Sequence, residues 1–143
     1  MSPLPPRAAD AAWLEASVAA HGACAGTVHR WTWQYDQPVL VLRAAVNIPP
    51  AVQAVTATIP RGKGMAGLAW VRARPVSTCD LQTDETGDVR PGARAVQAQG
   101  AVALPVFDAA GAVRAVVGYA FADRGDPVGA QLEALAQAAA GLP

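Results

Sequence analysis

Residues 59–70, IPRGKGMAGLAW, constrain this chain most, because Gly62, Gly64 and Gly67 fall at the spacing G-x-G-x-x-G. That spacing has two uses. In a dinucleotide site the glycine turn joins a buried parallel strand to a long helix and is followed by a second parallel strand. Here the strand signal before the turn, Thr56 to Ile59, is short and closes at Pro60, and the helical signal from Gly64 to Arg72 ends before Pro75. Asp84 stands near the distance of a ribose-binding acid, but inside a polar stretch rather than at a strand end. Neither Ser nor Thr follows Lys63, so a Walker phosphate loop is excluded. The glycines read instead as architecture: a tight path from strand into helix, and close approach of that helix to the strands beside it.

The flanking patterns support an α+β domain. Residues 7–21 read as a helix after Pro5 and Pro6, with Asp10 in its first turn and Ala9, Ala12, Trp13, Ala16 and Ala20 at three- and four-residue steps. From Cys24 to Tyr35 the period changes to two. After the turn YDQP a second strand, Val39 to Val46, completes a hairpin. NIPPAVQAV reads as a loop or one helical turn, and Pro75 to Thr78 as a short edge strand. The polar stretch CDLQTDETGDVRPGAR follows, and its length without periodicity is uncommon unless a loop is functional or mobile. Ala101 to Phe107 and Val113 to Ala122 form a second hairpin, and Pro127 to Ala140 a closing helix. The expected division is a tail over residues 1–6 and one domain over 7–143, in a chain long enough to bury one core.

Composition removes several functions. The formal net charge is +0, and the ten Arg and one Lys are scattered, so no basic face points to nucleic acid. Hydrophobic residues reach 52%, but 34 of the 143 residues are Ala, and no run approaches the ~20 apolar residues of a membrane helix. The start, MSPLPPRAAD, lacks the apolar core of a signal peptide, so the expected location is cytoplasmic. Two cysteines, Cys24 and Cys79, give neither a disulfide framework nor metal-ligand spacing.

Two segments carry a family resemblance. IPRGKGMAGLAWVRARPVSTCDL is similar to the GAF-domain signature, in which a strand ends in I-P-x-G-x-G, a further Gly opens a helix, and R-P-V leads a short strand to an Asp. AVALPVFDAAGAVRAVVGYAF resembles that family's later hairpin, with P-[LV]-x-D-x-x-G at its turn, and the element order over residues 7–140 is also the family's. Gly100 departs where many members have Ser, Gln99 where many are basic, and Ala115 where many have Gly. The resemblance implies a GAF-like (PAS-like) antiparallel sheet of five to six strands. The terminal helices would cover one face, and a short helix with the long loop the other. It also implies a cavity for a small molecule on the second face.

Within that frame the expected ligand-binding residues are Trp70, Asp80, Arg94 and Tyr119, which combine long-loop polar groups with nearby aromatics. The ligand and any cofactor are not identified by sequence. Some GAF-like proteins are free methionine sulfoxide reductases with a cysteine nucleophile. Cys79 is the candidate for that role here, against a quiet core thiol, with Cys24 remote as a resolving partner. His21 and His29 read as structural, and Asp84, Glu85 and Asp88 as a solvated cluster rather than a calcium loop. His29, Trp31, Trp33 and Tyr35 share one strand face, available for core, for a subunit contact or for a ligand. The reading is a non-enzymatic sensory or regulatory module. It would bind a small molecule or a protein partner and pair with a second copy through its Ala-rich terminal helices. The alternatives are the thiol enzyme and an interaction domain without ligand.

Overall fold

The structure, a computed structural model, describes residues 4–78 and 98–143. In chain order the elements are α1 (Arg7–Ala20), β1 (Ala25–Gln34), β2 (Gln37–Val46), α2 (Pro50–Val55) and β3 (Thr58–Pro60). They continue with α3 (Gly64–Arg72), β4 (Val76–Ser77), β5 (Gly100–Phe107), β6 (Val113–Phe121) and α4 (Gly129–Ala139). The six strands form one antiparallel sheet in the order β3-β2-β1-β6-β5-β4. This is the expected α+β arrangement, with the upper of the two strand counts. No described helix is long and apolar enough to cross a membrane.

Strand alternation gives the sheet two apolar faces. On one, Val28, Leu104, Val117 and Phe121 pack against Leu14 and Val18 of α1 and Leu135 and Ala139 of α4. On the other, Leu40, Val116 and Ala103 pack against Leu68, Ala69 and Trp70 of α3. The terminal helices therefore share one face, as expected, and α3 lies across the sheet from them.

Which side of α1 faces inward is a correction. The Ala and Trp spacing suggested a stripe through residues 9, 12, 13, 16 and 20, but the buried residues are Asp10, Leu14, Ser17 and Val18. Two polar residues can occupy a buried helix face only if each is partnered. Asp10 receives a bidentate pair of hydrogen bonds from Arg30 of β1, at 2.9 and 2.8 Å. The Ser17 and Tyr119 hydroxyls share another. A bulge in β2 assists: His29 pairs with Leu42 and Val28 with Ala44, so Arg43 is an extra residue. Its guanidinium reaches the helix layer, with Nε 3.9 Å from Asp10 and Nη2 donating to the Pro5 carbonyl.

The glycine turn is as tight as the sequence implied. Gly62 and Gly64 have φ of 76° and 65°. A Cβ on Gly67 would lie 2.8 Å from the Pro60 carbonyl oxygen. The Gly62 amide donates to the Gly67 carbonyl at 3.2 Å, and the Gly67 amide to Lys63 at 3.1 Å, so the turn is clasped from both sides. A β-branched residue is disfavoured at positive φ. Gly64→Val is therefore expected to destabilise the protein by about 1–3 kcal/mol. Urea unfolding measures it, and an unchanged midpoint would show that the turn carries no strain.

Candidate functional site

A cavity of about 150 Å³ lies between the α3 side of the sheet and the segment running through α2 into the start of α3. Strand register builds its floor. Ala25 pairs with Ala120, Thr27 with Gly118 and His29 with Val116 across β1 and β6. Ala101 pairs with Ala120 and Ala103 with Gly118 across β5 and β6. Residues paired this way share a face, so the middle of the sheet presents mostly Ala and Gly to α2 and α3. Small side chains leave the floor low. Ile48, Val52 and Thr56 form one wall, with Ile59, Gly64, Met65 and Ala66 on another.

His29 is one of the polar residues of this cavity, along with Thr27, Thr56 and Tyr119. Only 3% exposed, it directs Nε2 to the Thr56 carbonyl oxygen at 3.0 Å. Thr56 ends α2, so this bond fastens the short helix over the sheet. The other ring nitrogen, Nδ1, is buried without a hydrogen-bond partner among the described residues. Burial pushes the imidazole pKa from 6.5 down to about 4, partly opposed by the Thr56 bond, so the ring is neutral at ordinary pH.

The expected site residues fall in different places. Tyr119 is among the residues around the cavity, but alternation turns its ring to the helix layer, where it packs with Leu14 and Val18. Trp70, a residue of α3, is buried in the second core, with the Arg61 guanidinium carbon 5.2 Å from its ring centre. Asp80, Arg94 and Cys79 lie outside the described residues, as do Asp84, Glu85 and Asp88. Cys24 has a free, half-buried thiol. The aromatic face of β1 is divided. His29 borders the cavity, Trp31 packs on the second core, and Trp33 and Tyr35 are 53% and 94% exposed. Sequence reasoning assigned His29 a structural role; its place on the same strand face as Trp31 was the available signal for the cavity. Among the described residues, no group of three or more His, Cys, Asp or Glu is arranged to hold a metal ion.

No protein-family model and no curated protein sequence matches the chain. Solved structures do share its fold. It is similar to the GAF domain of an Acinetobacter phosphoenolpyruvate-protein phosphotransferase, with TM-score 0.72 and 16% identity over 99% of this chain and 81% of that one. The GAF domain of the corresponding Coxiella burnetii protein gives TM-score 0.72 and 16% identity over 97% and 81%. The type II free methionine-R-sulfoxide reductase of Thermoplasma acidophilum gives 0.69 and 15% over 94% and 91%. The chain has a GAF-like fold. Identities this low establish the fold and leave ligand and activity to the chain's own residues.

Proposed function

We propose that this protein is a non-enzymatic regulatory domain that binds one small molecule in the cavity beneath α2. The observation that supports this reading is the cavity itself: an Ala- and Gly-floored hollow at the centre of the sheet, bordered by the buried His29. A well-packed core has few such hollows. The described cavity wall includes no cysteine, so it offers no specific support for the thiol-enzyme alternative, whose candidate remains Cys79. An interaction domain with no ligand is the other alternative.

The signal would pass to a protein partner through the terminal helices, in a cytoplasmic homodimer. Val18 and Leu135 are committed to the protein's own core, so a helix-to-helix contact would use the exposed alanines, including Ala12 and Ala16 of α1 and Ala134 of α4. Such small-residue faces allow close helix packing.

Native mass spectrometry and light scattering on the freshly purified protein test both parts. We expect a bound mass of small-molecule size, released on denaturation, on a species of twice the chain mass. An unliganded protein whose melting temperature is unmoved by a broad metabolite panel would remove the ligand reading. A monomer well above micromolar concentration would remove the dimer. Sulfoxide-reductase turnover abolished by Cys79→Ser would establish the enzyme instead.

A further inference from the structure

Three adjacent strands each send one arginine toward the layer of the terminal helices. β2, β1 and β6 lie side by side, and Arg30 of β1 pairs with Val41 on one flank and Ala115 on the other. Arg43 is the extra residue of the β2 bulge. A second bulge, in β6, makes Arg114 extra in the same way, since Val106 pairs with Ala115 and Phe107 with Val113. An extra residue breaks the alternation of its strand, so a bulge can re-aim its side chain.

These guanidiniums hold the chain just before α1 and just after α4. Arg43 donates from Nη2 to the Pro5 carbonyl. Arg114 donates to the carbonyls of Leu142 at 2.7 Å and Pro143 at 3.1 Å. Arg30 reaches both places. Its Nε and Nη2 hold the two oxygens of Asp10 on α1, and the same Nη2 donates to the Pro143 carbonyl. α1 packs chiefly on β2 and β1, and α4 on β5, so this guanidinium joins segments that rest on different strands. Arg30 and Asp10 are both buried, and a planar guanidinium fixes the directions of its donors. Burial, and after it the neighbouring Arg7, pulls the Arg43 pKa below its ordinary value; burial and Arg30 do the same to Arg114. The cations repel one another, and the Asp10 carboxylate among them opposes that repulsion.

We propose that the Asp10–Arg30 pair is a latch between the start of α1 and residues 142–143, so that loosening either segment loosens the other. Departure of residues 142–143 takes an acceptor from Arg30 and admits water, which then competes with the guanidinium for Asp10. Departure of the start of α1 removes the carboxylate that orients Arg30 toward the Pro143 carbonyl. Such coupling is reciprocal. The latch gives the regulatory reading above a route between the terminal helices, and it does not depend on the cavity holding a ligand.

Amide hydrogen exchange of the full chain, followed residue by residue by NMR, tests it. Arg114 makes no hydrogen bond to α1 among the described residues, so Arg114→Ala disturbs residues 142–143 first. The amides of Gly141 and Leu142, bonded to the Ala138 and Ala139 carbonyls, are expected to exchange about tenfold faster. Those of Ala9 and Asp10, bonded to the Pro6 carbonyl, should exchange about threefold faster in the same variant. Both are read against amides at the centre of the sheet, which report global unfolding. Made in an Asp10→Leu/Arg30→Met background, the same substitution should speed the first pair alone. Amides 9 and 10 unmoved by Arg114→Ala in the otherwise wild-type chain overturn the latch. Equal acceleration in both backgrounds also overturns it, and assigns the coupling to the apolar core that Leu14 and Leu142 share. Arg43→Ala runs the coupling in the other direction with Asp10 and Arg30 intact: releasing Pro5 should speed exchange at Leu142, and an unchanged rate there counts against the latch. The native mass measurement decides separately whether the protein carries a small molecule.

Discussion

Asp10→Ala is expected to destabilise the protein by about 3–5 kcal/mol, the largest effect of any single substitution considered. Asp10 is 0% exposed and Arg30 is 4% exposed, and the two are joined by the bidentate pair. Removing the carboxylate leaves the Arg30 guanidinium buried with a Pro143 carbonyl for company, and Arg43 nearby. The loss follows from the stranded charge rather than from any large favourable contribution of the pair itself. The double variant Asp10→Leu/Arg30→Met should therefore recover most of it, because apolar replacement of both partners of a buried pair is often neutral. Urea denaturation of the three proteins decides the matter. A single variant within 1 kcal/mol of wild type would mean that the site behaves like an exposed ion pair.

His29 makes the second large prediction, in the dependence of stability on pH. Its folded pKa, about 4, lies below the unfolded value of 6.5. As pH falls from 6.5 the unfolded chain takes up the proton first, and the folded protein follows only near pH 4. Stability from the neutral ring is thus complete above pH 6.5, falls through the interval down to 4, and is constant below it. The separation corresponds to about 3 kcal/mol at 1.36 kcal/mol per unit. His29→Gln keeps an amide donor for the Thr56 carbonyl and does not titrate. The difference in unfolding free energy between wild type and His29→Gln should shift by that amount across the interval, while carboxylate contributions common to both proteins cancel. Parallel curves would show that the imidazole is hydrated in the folded state.

Both predictions concern buried polar residues, and the inward position of Asp10 is not visible in the periodicity of α1. The elements themselves were legible. Hairpin β1–β2 follows from alternation around YDQP, where Tyr35 and Asp36 adopt φ of 50° and 62°, and α3 spans the same residues, Gly64–Arg72, as its apolar pattern. Smaller departures are local. The stretch read as loop or one helical turn is the helix Pro50–Val55, with a proline at its start and Thr56 as its C-cap. β3 accordingly begins at Thr58 rather than Thr56.

What the sequence by itself determined is the order of elements and the two faces of the sheet, because period-two and period-3.6 patterns are properties of neighbouring residues. The glycine turn belongs here too, since positive φ and absent Cβ atoms are local requirements. What only the tertiary structure decided is which polar groups meet. The inward face of α1 includes Asp10 and Ser17 because Arg30 and Tyr119 stand opposite, 20 and 102 residues away along the chain. The resemblance implied a cavity on the second face, but its floor was hidden: alanines on β5 and β6 read as ordinary strand residues until register sets them beside Gly118 under α2. His29 becomes a cavity residue for the same reason. A lone histidine on a strand has no partner to read in sequence, and its bond to Thr56 arises only when the chain brings α2 across the sheet.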